Sequence, residues 1–206
     1  SNRAGIKEKF IKFDVYESNI DPYIRFIHIR DLQSCGWIKI NKENLQDNDE
    51  PSTCTHNYTV DWFNIKPANI TGIAPFYVCS FDLECTSGDG SFPQASRDSD
   101  KIIQIGSTFS RYGSDKIIYK HIITLNGCDK CDDIDIESYD NEKDVLMAWK
   151  ELIIRMDPDV ITGYNTFGFD FKYIAERCEE LDIYDEFVTD LGKLKGRKSI
   201  LETKNL

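Results

Sequence analysis

Apolar and polar residues alternate, or nearly so, over 10–17 (Phe-Ile-Lys-Phe-Asp-Val-Tyr-Glu) and 23–30 (Tyr-Ile-Arg-Phe-Ile-His-Ile-Arg). Shorter runs of the same kind occupy 37–40 (Trp-Ile-Lys-Ile) and 58–63 (Tyr-Thr-Val-Asp-Trp-Phe). A period of two sends successive side chains to opposite faces of an extended chain, so each run predicts a strand. The polar stretch 41–56 between them reads as a long surface loop. Residues 1–72 are therefore expected to form a small β-rich N-terminal domain, its Ile-x-Ile runs being strand grammar and not an internal repeat. Pro67, Gly72 and Pro75 then break the pattern and mark a boundary.

The second region has a definite order. Residues 76–85 predict an apolar strand, followed by a loop over 86–100 rich in Ser, Gly, Asp and Pro. Connections of that length without regular structure are uncommon and often functional. Ile-rich strands follow at 101–109 and 116–125, separated by a turn at 111–115. Val145, Leu146, Trp149, Leu152, Ile153 and Met156 fall on one face of a 3.6-residue period, predicting an amphipathic helix over 141–156 with Trp149 in the core. Pro158 stops it. A strand over 159–164, a turn and a second helix near 169–181 complete the order β-β-β-α-β-α. Three turn-linked strands should be antiparallel, and the helix then carries the chain to a strand parallel to one of them. That is an α/β (α+β) arrangement that suits a ribonuclease H-like mixed sheet. A doubly wound sheet suits it poorly, because the early strands lack intervening helices.

Charge narrows the function. Lys and Arg number 25 against 36 Asp and Glu, a net charge of −11, which argues against a protein that coats nucleic acid through broad phosphate contact. No run of about 18 apolar residues suggests a membrane span. Seven scattered cysteines suit a reducing compartment better than a disulfide framework. Cys128-Asp-Lys-Cys131 is a single C-x-x-C, open to a structural zinc or to ordinary loop cysteines. His28, His56 and His121 share no metal-ligand spacing and are explained by strand or loop positions.

Strand alternation places Ser80, Asp82 and Glu84 on one face of 76–85. Two like charges side by side repel unless a proton or cation intervenes, and hard oxygen donors at this spacing suit Mg²⁺ or Mn²⁺. A strand end whose acids simply face water has the same pattern. Asp170 opens the second helix, where an Asp also caps a helix and complements its dipole. The conjunction of Asp82-Leu83-Glu84, a helix, a strand and then Asn165 through Phe169-Asp170 is far rarer than either part.

Phe81-Asp82-Leu83-Glu84-Cys85 resembles the first exonuclease motif of the family B DNA polymerases, especially the delta-like eukaryotic and large-DNA-virus enzymes. Gly163-Tyr164-Asn165 through Phe169-Asp170 resembles the second. Ser91-Phe92-Pro93, Asp100 to Ile105, Ser138-Tyr139 and Met156 to Asn165 are similar to the family's segments. So are Tyr16 to Ile20, Arg25-Phe26 and Cys35-Gly36-Trp37 of its N-terminal domain. The match covers residues 10–190.

The resemblance implies a proofreading 3′–5′ exonuclease domain over 73–190, using two metal ions (Mg²⁺, with Mn²⁺ as the alternative) to hydrolyse the primer 3′ terminal linkage. By the same resemblance Asp82 would bridge both ions. Glu84 would ligate the ion beside the attacking water, and Asp170 would hold the other. Asn165 and Phe169 would contact the strand. The implied partners are primer–template DNA with a single-stranded 3′ end, the remaining polymerase domains, and processivity or accessory subunits. The implied location is intracellular, in a nucleus or at a viral replication site. The family's third motif, Tyr-x-x-x-Asp, has no copy after Asp170: Tyr173 and Tyr184 are followed four residues on by Arg177 and Val188. The palm carboxylates are absent too. The chain is thus expected to be an N-terminal fragment with an incomplete site, its basic stretch 191–206 a loop leading toward that motif. A non-catalytic module of the same fold and a stand-alone exonuclease are the alternatives.

Overall fold

The structure is a computed structural model that describes Tyr16 and residues 19–201. Apart from Tyr16, the strand expected over 10–17 lies outside the described residues. Two compact units are present. The described residues up to Asn48, with Tyr58–Thr71, form one, and Asp49–Asn57 with the chain from Gly72 onward form the other.

The first unit corrects the sequence reading at three points. Residues 23–30 are not a strand: α1 spans Pro22–Ile29. Asp21 Oδ1 accepts from the Tyr23 N–H at 2.7 Å and Pro22 sits in the first turn, a capping pair that overrides the alternation. His28 is accordingly a helix residue. The stretch 41–56 is not all loop, since it holds a 3-10 turn at Lys42–Asn44 and a strand at Gln46–Asp47. There is also an internal repeat. Strand β1 (Ile38–Lys39), the 3-10 turn and β2 (Gln46–Asp47) recur twenty residues on as β3 (Tyr58–Thr59), a turn at Trp62–Asn64 and β4 (Lys66–Pro67). The ladders are antiparallel β1–β4, with Ile38 opposite Pro67, and β2–β3, with Tyr58 opposite Asp47. Exchanging the two halves maps each ladder onto the other, so the unit has an internal two-fold. The repeat escapes the sequence because only Asn44 and Asn64 are identical at the turns, while Leu45 and Ile65 are merely alike. The aromatic residues Tyr58, Trp62 and Phe63 are exposed.

In the second unit the elements are β5 (Tyr77–Cys85), β6 (Ile102–Arg111), β7 (Ile117–Leu125), β8 (Asp135–Tyr139), α2 (Glu142–Met156), β9 (Val160–Thr162), α3 (Asp170–Glu180) and α4 (Tyr184–Val188). The sheet order is β8-β7-β6-β5-β9. The pairs β5–β6 and β6–β7 are antiparallel, and β9 adds to β5 in parallel. The mixed sheet is as expected, with β8 and α4 added. Strand β8 pairs in parallel with β7. Its Asp-Ile-Glu-Ser-Tyr sequence lacks a strand signature; its partly exposed Glu137 meets the buried His121, Nε2 to Oε1 at 3.1 Å.

One face of the sheet is the core. Cys79, Phe81, Leu83, Ile105, Phe109 and Ile123 are buried there, as are Val145, Leu146, Trp149, Leu152 and Ile153 of α2. Each large apolar side chain so buried contributes about 1.5–3 kcal/mol. Trp149 lies against Phe81, with ring centroids 4.9 Å apart, and stacks on Phe187 at 6.2 Å. The helix α2 starts at Asn141, whose Oδ1 accepts from the Asp144 N–H at 2.9 Å. It stops at Asp157, held left-handed at φ 44°, just before Pro158. No helix among the described residues is long and apolar enough to cross a membrane.

Candidate active site

Burial of Cys79, Phe81 and Leu83 on the helix side forces Asp82 and Glu84 to the opposite, exposed face of β5. Asp82 stands opposite Gly106 of β6, and Glu84 opposite Gln104. The register shifts between Glu84 and Cys85, a bulge after which Cys85 pairs with Ile102 as the last rung.

Asp170 reaches the same place by a tightly wound turn. Strand β9 runs beside β5, with Thr162 level with Ser80. At the next residue a Cβ on Gly163 would fall 2.4 Å from the Phe81 carbonyl oxygen, so only glycine allows this approach beside Asp82. Asn165 is left-handed at φ 53°, and its carbonyl accepts from the Gly168 and Phe169 N–H groups at 2.9 and 3.0 Å. Its side chain fills the space where a Gly168 Cβ would stand. The turn delivers Asp170 as the first residue of α3, only 3% exposed. Burial raises the Asp170 pKa. Its own N–H opposes this, the charge of Asp82 adds to it, and the Leu83 N–H opposes it. The Cys85 thiol next to the bulge is pushed up to about 12, chiefly by burial, then by the charges of Glu142, Asp170 and Glu84. Asp170 therefore lies within reach of the Asp82 charge, while Glu84 shares the exposed face of β5 with Asp82.

Whether they fit a metal divides into kind and number. Three carboxylates are hard oxygen donors, right for Mg²⁺ or Mn²⁺, and a buried acid beside a second acid is an arrangement a cation relieves. In number the set falls short: among the described residues no three His, Cys, Asp or Glu side chains are gathered closely enough to hold a metal ion.

Two open clefts flank the 163–170 turn. One, of about 540 Å³, runs from Asp82 past Gly106 and Thr108 to Lys120, with Tyr164 at its rim. The other, of about 500 Å³, lies between α3 and the 86–100 loop, walled by Phe92, Phe169 and Tyr173. Phe169 is half-buried, its ring edge-on to Phe92 with centroids 5.1 Å apart, whereas Asn165 lies exposed on the turn. Tyr164, Phe167 and Phe92 are 92%, 80% and 72% exposed. Sequence reasoning quoted these three within motifs and gave them no role. The signal was available, since large aromatics beside Gly and Pro in turns have no core to enter. The basic stretch is partly spoken for, because Lys193 pairs with Asp157 and Asp159 at 3.2 Å each and Lys198 pairs with Asp185.

A five-stranded mixed sheet with acids on the exposed face of β5, beside its edge strand β9, and at the start of α3 is a ribonuclease H-like arrangement. The chain matches the DNA polymerase family B exonuclease domain over residues 13–205. It belongs to that family. It is 46% identical over 179 residues to the DNA polymerase of Acanthamoeba polyphaga mimivirus, covering 86% of this chain and 10% of that protein. It is 35% identical over 193 residues to the DNA polymerase delta catalytic subunit of Mesocricetus auratus, covering 91% of this chain and 17% of that one. The chain thus spans between 10% and 17% of the length of these two relatives. The solved family B DNA polymerase from the hyperthermophilic archaeon Pyrobaculum calidifontis shares the fold, with TM-score 0.61 and 23% identity over 88% of this chain and 20% of that one.

Proposed function

We propose that this chain supplies the Asp82, Glu84 and Asp170 carboxylates of a 3′–5′ exonuclease site, which in the complete polymerase removes a mispaired nucleotide from the primer 3′ end. The observation that carries the reading is the burial of Asp170 against the charge of Asp82 at the end of β5. Such an arrangement disfavours ionised carboxylates in the free state, a cost that binding sites accept and ordinary helix caps avoid.

Asp82, Glu84 and Asp170 would hold divalent cations, Mg²⁺ or Mn²⁺. Bound there, a divalent cation supplies Lewis-acid stabilisation of the oxygens about phosphorus and lowers the pKa of the attacking water. The chain's own residues do the rest. The Asn165 turn fixes Asp170 against β5. Phe92, Phe169, Tyr164 and Phe167 present ring faces on which unpaired bases stack without sequence preference. Lys120 gives the first cleft a positive end suited to a backbone phosphate. Primer–template DNA and the other polymerase domains are the partners this reading requires, in a nucleus or at a viral replication site, with processivity and accessory subunits compatible with it.

The test is Asp82→Ala in the complete polymerase, assayed on a primer with a mismatched 3′ end. Excision should disappear while extension of a matched primer persists. Retained excision would exclude this assignment.

A further inference from the structure

The loop over 86–100 carries Phe92 to the rim, yet it has no strand or helix of its own. It is tied from within by Asp100, whose buried carboxylate accepts from the Gly88 and Gln94 N–H groups at 2.9 and 3.0 Å and from the Ser99 hydroxyl at 2.7 Å. From outside it is tied by α3. Arg177 forms a bidentate pair with Glu142, Nε to Oε1 at 2.9 Å and Nη2 to Oε2. Its remaining nitrogen, Nη1, donates to the carbonyl oxygens of Ala95 and Arg97. Glu142 Oε1 also accepts from the Ile102 N–H at 2.9 Å, where the loop re-enters the sheet. Tyr173 donates its hydroxyl to the Asp100 carbonyl at 2.8 Å. Arg177 and Glu142 are both fully buried.

A buried ion pair gains little stability over an apolar pair of the same shape, because desolvation offsets the attraction. This one joins three separate pieces: the start of α2, the last turn of α3, and the loop. Arginine alone has the planar fork to reach a carboxylate and two carbonyls at once. Seven residues before it on the same helix stands Asp170, and Phe169 just ahead of that meets Phe92.

We infer that Arg177 is a positioning residue, which clamps the 86–100 loop to α3 and so fixes Phe92 over Phe169 at the rim of the strand-binding cleft. Its catalytic consequence rests on the exonuclease reading; the clamp itself rests on the contacts alone. Loss of the clamp should free the loop and weaken strand binding, leaving Asp82, Glu84 and Asp170 where they are.

The complete polymerase is compared with its Arg177→Met and Arg177→Lys variants. Lysine keeps a charge for Glu142 and cannot fork to the two carbonyls. Trypsin should cut after Arg97 at least about tenfold faster in both variants, as expected when a tied loop opens locally. On a single-stranded 3′ end, KM for excision should rise on the order of tenfold, the scale of one lost base–aromatic stack, with kcat within about twofold. A merely structural role would instead reduce the folded fraction, lowering kcat at unchanged KM, and that result overturns the positioning role. Unchanged cleavage after Arg97 in both variants overturns the clamp. If the unaltered polymerase shows no excision, the exonuclease reading falls with the KM consequence, and the cleavage comparison still decides the clamp.

Discussion

Asp170→Asn should make the fold more stable and the site useless. The side chain is buried at the first position of α3. Burying an ionised carboxylate costs several kcal/mol. Hydrogen bonds to a charged group return about 1.5–3 kcal/mol and the helix N-terminus about 0.3–1 kcal/mol. The nearby Asp82 charge works against both. The raised pKa means that the penalty outweighs these returns, so the ionised residue destabilises the fold at neutral pH. Asparagine keeps the size and one acceptor oxygen for the N–H groups of Asp170 itself and Leu83, and removes the charge. Its Tm without divalent cation should exceed that of the unaltered chain, by about 3 °C for each kcal/mol of penalty removed in a unit of this size.

The pH dependence has a definite sign. A raised carboxyl pKa means the unfolded chain releases its proton first. The contribution to stability is therefore fullest below the usual carboxylate range and is lost as pH rises through the raised Asp170 pKa. The variant should lack this decline. Any Mg²⁺-induced stabilisation should be larger in the unaltered chain than in the variant. Calorimetry over a pH and Mg²⁺ series reads all three effects. A lower Tm for the variant in chelator, or an equal Mg²⁺ response in both, would refute the reasoning.

Ser107→Ala leaves the buried Trp149 N–H without its acceptor, now 3.2 Å away, and should cost about 1–3 kcal/mol in urea unfolding followed by Trp149 emission with Trp37 and Trp62 replaced by Phe. A cost under about 0.3 kcal/mol would show that the bond contributes nothing net. In the native chain at pH 8, a thiol reagent should label Cys35, Cys54, Cys128 and Cys131 quickly. It should label Cys79, Cys85 and Cys178 slowly, since burial pushes each of them up to about 12. A fifth fast thiol would contradict this. The 206-residue chain by itself should digest single-stranded DNA negligibly in Mg²⁺, because its described carboxylates do not gather into a three-ligand site. Robust release of nucleotides would overturn that expectation.

The second unit was legible because its signals are local and mutually consistent. Alternation in 76–85 fixed which side chains of β5 face the helix, and the apolar stripe of α2 supplied its partner. The proximity of Asp170 to Asp82 was implied by the resemblance and rests on the β9 strand running beside β5. What escaped depends on contacts distant in sequence. Arg177 read only as a residue that is not aspartate; its role appears when Glu142 and the carbonyls of Ala95 and Arg97 come to meet it. Strand β8 shows no strand composition, and its Glu137 is satisfied by His121 and Tyr139. In the first unit, alternation over 23–30 was equally compatible with an amphipathic helix, and the Asp21-Pro22 start decided between them.

The two-fold inside that first unit has a kinetic and historical side. Each ladder takes one strand from each half, so neither half can satisfy its own backbone. Two free copies of the strand–turn–strand piece would have to find each other as a homodimer does. Here one chain carries both, so they meet within a single molecule. An intertwined dimer made covalent by duplication would leave this signature. Cutting the chain between them should then turn a unimolecular folding step into a concentration-dependent one.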